Sequence, residues 1–242
     1  MATTRTAYHN RIAGWVLIVG TVTMGVGAGI GMAFGSFVDK DLDGGTFGDY
    51  LTHVAENRTA AQANLWLWII GILMIGLGGV LISKLGNQES LATKVARFSF
   101  TAGPASAIVF YSMLLGVVVV LVPLHAAGEN VLATATVIAW IGTTADWIAT
   151  ALVLGLGVAA LAFAGRDTWV PRWLYWWAIA AGAAGVVSMI GTITGARETV
   201  SFVILPIAMS WMIAAGVVAI RYRGLTEKES SDVGLQDHPA AP

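Results

Sequence analysis

The sequence predicts an all-α fold, a polytopic transmembrane bundle of six spans with N- and C-termini in the cytoplasm. Three observations predict it. Hydrophobic residues make up 57% of the 242-residue chain and charged residues 11%, with a mean hydropathy of +0.75. A soluble domain covers its surface with about 25% charged residues, so this chain belongs in lipid. Six segments carry the roughly 20 apolar residues that a helix needs to cross the hydrocarbon core. Finally, Lys and Arg collect on one side of those segments.

The spans fall at about 12–34, 61–82, 104–124, 140–164, 173–195 and 201–220. Residues 1–223 form one transmembrane domain, and the polar stretch 224–242 reads as a disordered cytoplasmic tail. The first span follows Arg5 and Arg11 as a signal peptide would. Its apolar core is longer than the usual 7–15 residues, so it reads as a retained anchor. It contains Gly25, Gly29, Gly31 and Gly35 at four-residue spacing. Such small residues let two backbones approach in lipid, against a neighbouring span or against a homo-oligomer or membrane partner. Gly191 and Gly195 repeat the device in span five. Pro104 suits the first turn of span three, where a missing N–H costs nothing. Pro206 lies inside span six and should kink it. Trp211, five residues on, either packs or lines the resulting gap.

Orientation follows from the basic residues. Arg5, Arg11, Lys84, Lys94, Arg97, Arg166, Arg172, Arg221, Arg223 and Lys228 share one side; only Lys40, Arg58 and Arg197 lie on the other. The richer side is cytoplasmic. Trp66, Trp68 and Trp140 fall near the outer boundary, and Trp15, Trp169, Trp173, Trp176 and Trp177 near the inner one. Indole rings favour the headgroup level, so these read as belts.

Asp146 is the one acid placed inside the hydrocarbon, in "GTTADWIAT". An acid at the centre of a membrane helix costs about 2.5–3.5 kcal/mol, so it needs a reason. The apolar run from 131 to 164 is longer than the core, and its surplus must project or fold at the outer surface. Asp146 then sits in the outer half. Gly142, Thr143, Ala149 and Thr150 share its face at helical spacing, whereas Trp140, Trp147 and Leu154 mark a bulkier stripe turned elsewhere. Arg197, beyond span five, is within reach of the same depth. Three readings stand open: a structural Asp146–Arg197 pair, a ligand- or cation-binding acid, and a proton-relay carboxyl.

The first outer loop, "DKDLDGGTFGD", places Asp39, Asp41, Asp43 and Gly44 as the opening of a calcium loop. Tyr50 stands where the bidentate Glu belongs, and Asp49 comes one place early. Calcium and a merely solvated acidic loop are both compatible with this pattern; no other cofactor is indicated. His9, His53, His125 and His238 lie outside the middle of every span, which disfavours membrane haem. No span carries a Lys for retinal, and no cysteine is present. A net charge of −1 argues against nucleic acid. No zinc, phosphate-loop or Ser-His-Asp motif occurs.

The segments "GRDTWVPRWLYWWAIAAGAAGVV", "RIAGWVLIVG" and "AAQANLWLWIIGILMIGLGGVLISKL" together resemble a bacterial family of six-span integral membrane proteins of unknown function. The resemblance implies a six-helix fold and no assigned reaction. The expected role is that of a bacterial plasma-membrane protein without enzymatic activity, a small-ligand-binding or accessory subunit. The alternatives are a small permease using Asp146 and, third, an enzyme acting on lipid or quinone.

Overall fold

The structure, a computed structural model, describes residues 2–34, 47–194 and 197–222, with side chains described for 8–34, 47–191 and 204–222. The helices are α1 (Ala2–Ala33), α2 (Phe47–Glu56), α3 (Arg58–Ile82), α4 (Leu91–Gly116), α5 (Val122–Ala126), α6 (Leu132–Thr150), α7 (Val158–Gly165), α8 (Arg172–Thr194) and α9 (Arg197–Arg221). Wider π-helical stretches, Val117–Leu121 and Ala151–Gly157, join α4 to α5 and α6 to α7 into continuous rods. Among the described residues, six helical rods are long and apolar enough to cross a membrane. The chain is therefore an all-α membrane protein.

Rods consecutive in sequence pack side by side, and α9 returns to α1, so the six close into a ring. The fourth rod is the most enclosed, touching α4, α8 and α9. Lipid supplies no hydrophobic push between helices, so close backbone approach has to hold the ring. Glycines provide it. A Cβ at Gly14 of α1 would lie 2.5 Å from the Gly216 carbonyl oxygen of α9. One at Gly20 would lie 2.9 Å from the Gly71 carbonyl oxygen of α3. The α1 seam thus runs through Gly14, Gly20 and Gly27, with Gly27 under the Trp68 ring. Gly25 meets only Met209, and Gly29 faces open space. Gly31 is buried, and Gly35 lies outside the described residues.

Span three corrects the expectation for Pro104. The helix starts at Leu91, where Ser90 caps it by accepting a bond from the Thr93 N–H at 3.1 Å. Pro104 therefore stands deep inside α4. Proline leaves the carbonyl four residues earlier without its helical donor. That carbonyl, on Phe100, faces Gly76 of α3, whose bare backbone fits against both it and the proline ring. Span four likewise begins earlier, at Leu132, and its surplus stays helical. Helices α3 and α4 are joined by a turn closed from within. Gln88 donates to the Ser83, Lys84 and Gly86 carbonyls, and Arg97 donates to Ser83 Oγ and to Gln88.

Helix α2 is an addition to the expected fold. Phe47, Tyr50, Leu51 and Val54 recur at one-face spacing and are buried, while Asp49 and Thr52 are exposed. It packs on α5, α3 and α6, at the end of the bundle opposite Arg166. Trp15, Trp66, Trp140, Trp173 and Trp176 are exposed. Trp68 and Trp169 instead turn inward. Trp211 is fully enclosed and donates to the Leu174 carbonyl at 2.8 Å, so it packs rather than lining a gap.

Candidate polar site between the third and fourth rods

Asp146, the acid in the apolar run of the fourth rod, is met by a phenol. Tyr111 Oη donates to Asp146 Oδ1 at 3.0 Å, linking α4 to α6. Packing explains how it reaches. Gly142 lies against the Phe110 ring, with only 2.5 Å from a would-be Cβ to a ring carbon. The absence of a side chain there lets α4 close on α6 and brings the adjacent Tyr111 level with Asp146, one turn on. Ser106 adds a second link, donating to the Ala145 carbonyl at 2.9 Å. The Trp68 ring rests on Tyr111 at 5.2 Å between centroids, tilted by 54°. One turn before Trp68 on α3, Asn64 donates to the Gly27 carbonyl of α1, which fixes α3 beside α1.

Burial within the pair is uneven. Tyr111 is enclosed at 2% exposure, whereas Asp146 is only partly buried. Measured along the rod, Asp146 lies about 28 Å from Gly165, at 1.5 Å per residue, near the opposite boundary of a ~30 Å core. Thr143 is buried and returns its hydroxyl to the Ala139 carbonyl at 2.8 Å. Thr150 is partly buried one turn beyond Asp146. The small, polar face of span four therefore does turn toward its neighbours. The bulkier stripe is a correction: Trp147 and Leu154 are buried too, at 6% and 3% exposure, and only Trp140 faces outward. The fourth rod is enclosed on most of its circumference, so two faces are buried rather than one. The π-helical turn also shifts the phase beyond Thr150.

The other candidate residues fall differently. Arg197 begins α9, but its side chain lies outside the described residues, and so does any pairing with Asp146. Asp39, Asp41 and Asp43 lie outside them as well. Tyr50, at the twelfth position of the calcium-like pattern, is buried in α2 and stacked on Phe47 with centroids 5.3 Å apart. Among the described residues, no three His, Asp or Glu side chains gather to hold a metal. His53 Nε2 lies 2.7 Å from the Phe34 carbonyl oxygen, and His125 Nε2 lies 3.3 Å from Thr52 Oγ1. Both histidines help to seat α2.

Tyr111 is the residue that sequence reasoning passes over. Its signal is a phenol well inside an apolar run, "SAIVFYSMLLGVVVV". A buried Tyr hydroxyl needs a partner, and a partner at that depth has to come from another span. Arg58 is a second such case. Its guanidinium crosses from the start of α3 and donates to the Val119 carbonyl at 2.9 Å, within the π-helical stretch above Tyr111. Compared with known proteins, the chain matches no family model, and no curated protein or solved structure is significantly similar to it.

Proposed function

We propose that this chain is a multi-pass protein of a bacterial plasma membrane, with both termini in the cytoplasm, that binds a small ligand through Asp146 without transforming it. One observation supports the reading above others: Asp146 is oriented by an enclosed Tyr111 yet is itself only partly buried. An intramembrane acid kept for packing alone gains most from full enclosure with its partner. A partly buried acid at the hydroxyl end of Tyr111 suits a small cation, such as a protonated amine, through its charge. The nearby hydroxyls favour binding over catalysis, because Ser106 and Thr143 are spent on backbone carbonyls of α6. The test is thermal unfolding of the purified protein against a panel of small amines and inorganic cations. At least one should raise the unfolding temperature of the wild type, and the rise should vanish in Asp146→Asn. If Asp146→Asn responds to every compound as the wild type does, the reading fails.

A permease is the second reading, and the π-helical stretches favour it. One begins six residues after Tyr111, at Val117, and the other five residues after Asp146, at Ala151. Such wide turns occur often at functional sites and give a helix a place to change register. Proteoliposomes loaded with the stabilising compound separate the two readings. Asp146-dependent flux supports transport, and binding without flux rejects it. Association through Gly25, Gly29, Gly31 and Gly35 is compatible with either role, since Gly29 faces open space. Native mass spectrometry from mild detergent reads it directly, and a bare monomer rejects it.

A further inference from the structure

We propose that the hairpin between α7 and α8 holds the headgroup phosphate of an anionic phospholipid. Arg166, Val170, Arg172, Tyr175 and Trp176 line a hollow of about 300 Å³ there. Arg166 is the first residue beyond α7, and Arg172 is the first residue of α8. Two guanidiniums therefore reach one recess from the two arms of the hairpin. Planar guanidinium forks match the geometry of phosphate oxygens. The start of the 23-residue helix α8 adds the positive end of its dipole.

The charges leave a net attraction. Asp167 pairs with Arg166 at 3.3 Å, with both side chains largely exposed. Arg172 has no ion pair among the described residues. Two cations against one acid leave the recess at +1. Asp167 and then the Tyr175 hydroxyl hold Arg166 above its ordinary pKa by hydrogen bonding, so its charge is constant at any working pH. Tyr175 is itself braced by the edge of Phe163, with centroids 5.2 Å apart. Val170 on the recess wall is buried, and so is Trp169 next to it in sequence.

Depth and surroundings select a lipid over a soluble anion. The recess opens where two apolar rods end, Leu132–Gly165 and Arg172–Gly191. Phe163, Trp173 and Trp176 are exposed beside it at 48%, 54% and 59%. Guanidiniums at the end of an apolar rod, flanked by exposed indoles, sit at the headgroup level with acyl chains alongside. This recess is separate from Asp146, about 28 Å along the rod, and depends only on the chain lying in a membrane.

The experiment is native mass spectrometry of the full-length protein in mild detergent, with phosphatidylglycerol and phosphatidylcholine of matched chains added separately. The wild type should retain phosphatidylglycerol in preference. The double variant Arg166→Gln/Arg172→Gln should lose about 25-fold of that preference, about fivefold per arginine. Asp167→Asn should raise it, a gain that a misfolded protein cannot produce. Lys84→Gln/Lys94→Gln, on the neighbouring connection, should leave it unchanged. Equal retention of the two lipids by the wild type, or an undiminished preference in the double arginine variant, overturns the proposal. If millimolar inorganic phosphate abolishes the preference, the occupant is a soluble anion and the lipid assignment falls.

Discussion

Gly76 of α3 and Pro104 of α4 are in direct contact: a Cβ built on Gly76 would lie 2.7 Å from the proline Cγ and 2.8 Å from the Phe100 carbonyl oxygen. The proline exposes that carbonyl by lacking an N–H, and the glycine covers it with backbone. The two residues are thus complementary defects on facing helices, and together they set how closely the second and third rods approach.

Gly76→Ala should therefore destabilise the protein by about 1–3 kcal/mol, the usual cost of forcing an extra methyl into a packed interface. Thermal unfolding in detergent reads it. Gly29→Ala is the matched control, since Gly29 faces open space, and it should be close to neutral. Equal effects at both positions would mean that α3 and α4 stand further apart than described.

The Tyr111–Asp146 bond should appear as a coupling energy. Tyr111→Phe removes the donor and keeps the ring, and Asp146→Leu removes the acceptor at similar volume. Across a membrane helix interface such a pair is worth about 0.6–1.7 kcal/mol. The double variant should lose less stability than the sum of the two single variants by that amount. Strict additivity would dissociate the two residues and remove the geometric basis for Asp146 as an oriented group.

Arg58→Met should loosen the π-helical stretch Val117–Leu121. Arg58 Nη2 donates to the Val119 carbonyl from outside that helix. Losing a charged donor costs about 1.5–3 kcal/mol where the carbonyl finds no replacement. Amide hydrogen exchange over residues 117–125 should speed up, with little change over α8. Unaltered exchange in that segment would show that the rod holds its wide turn without Arg58.

Topology can be read chemically because the chain has no native cysteine. Glu56→Cys, at the exposed end of α2, should react with an impermeant thiol reagent added to intact cells. Glu89→Cys, in the turn before α4, should react only after permeabilisation. The reverse pattern would invert the proposed orientation.

Much of the architecture is legible because lipid imposes its demand on each segment separately. A run of about 20 apolar residues has to be helical wherever its neighbours lie. Helix ends are less legible. Apolarity marks where hydrocarbon is, whereas a helix stops where its caps and turns stop it. Ser90 starts the third rod 14 residues before Pro104, and the fourth rod runs on past its apolar need. Helix α2 shows its one-face pattern at Phe47, Tyr50, Leu51 and Val54, but the acids before it favour a loop.

By itself, then, the sequence determined the membrane address, the six spans, and an acid on a small, polar face of the fourth. Those are properties of composition and local period, which survive without any knowledge of neighbours. The tertiary structure alone decided that the acid meets Tyr111. The two residues are 35 apart in sequence, and their meeting depends on the rotation of α4 against α6. That rotation is set by contacts such as Phe110 against Gly142, and no single segment contains both sides of it. The same reason places Arg166 and Arg172 around one recess: each is an ordinary interfacial arginine until the hairpin folds back and points them at the same space.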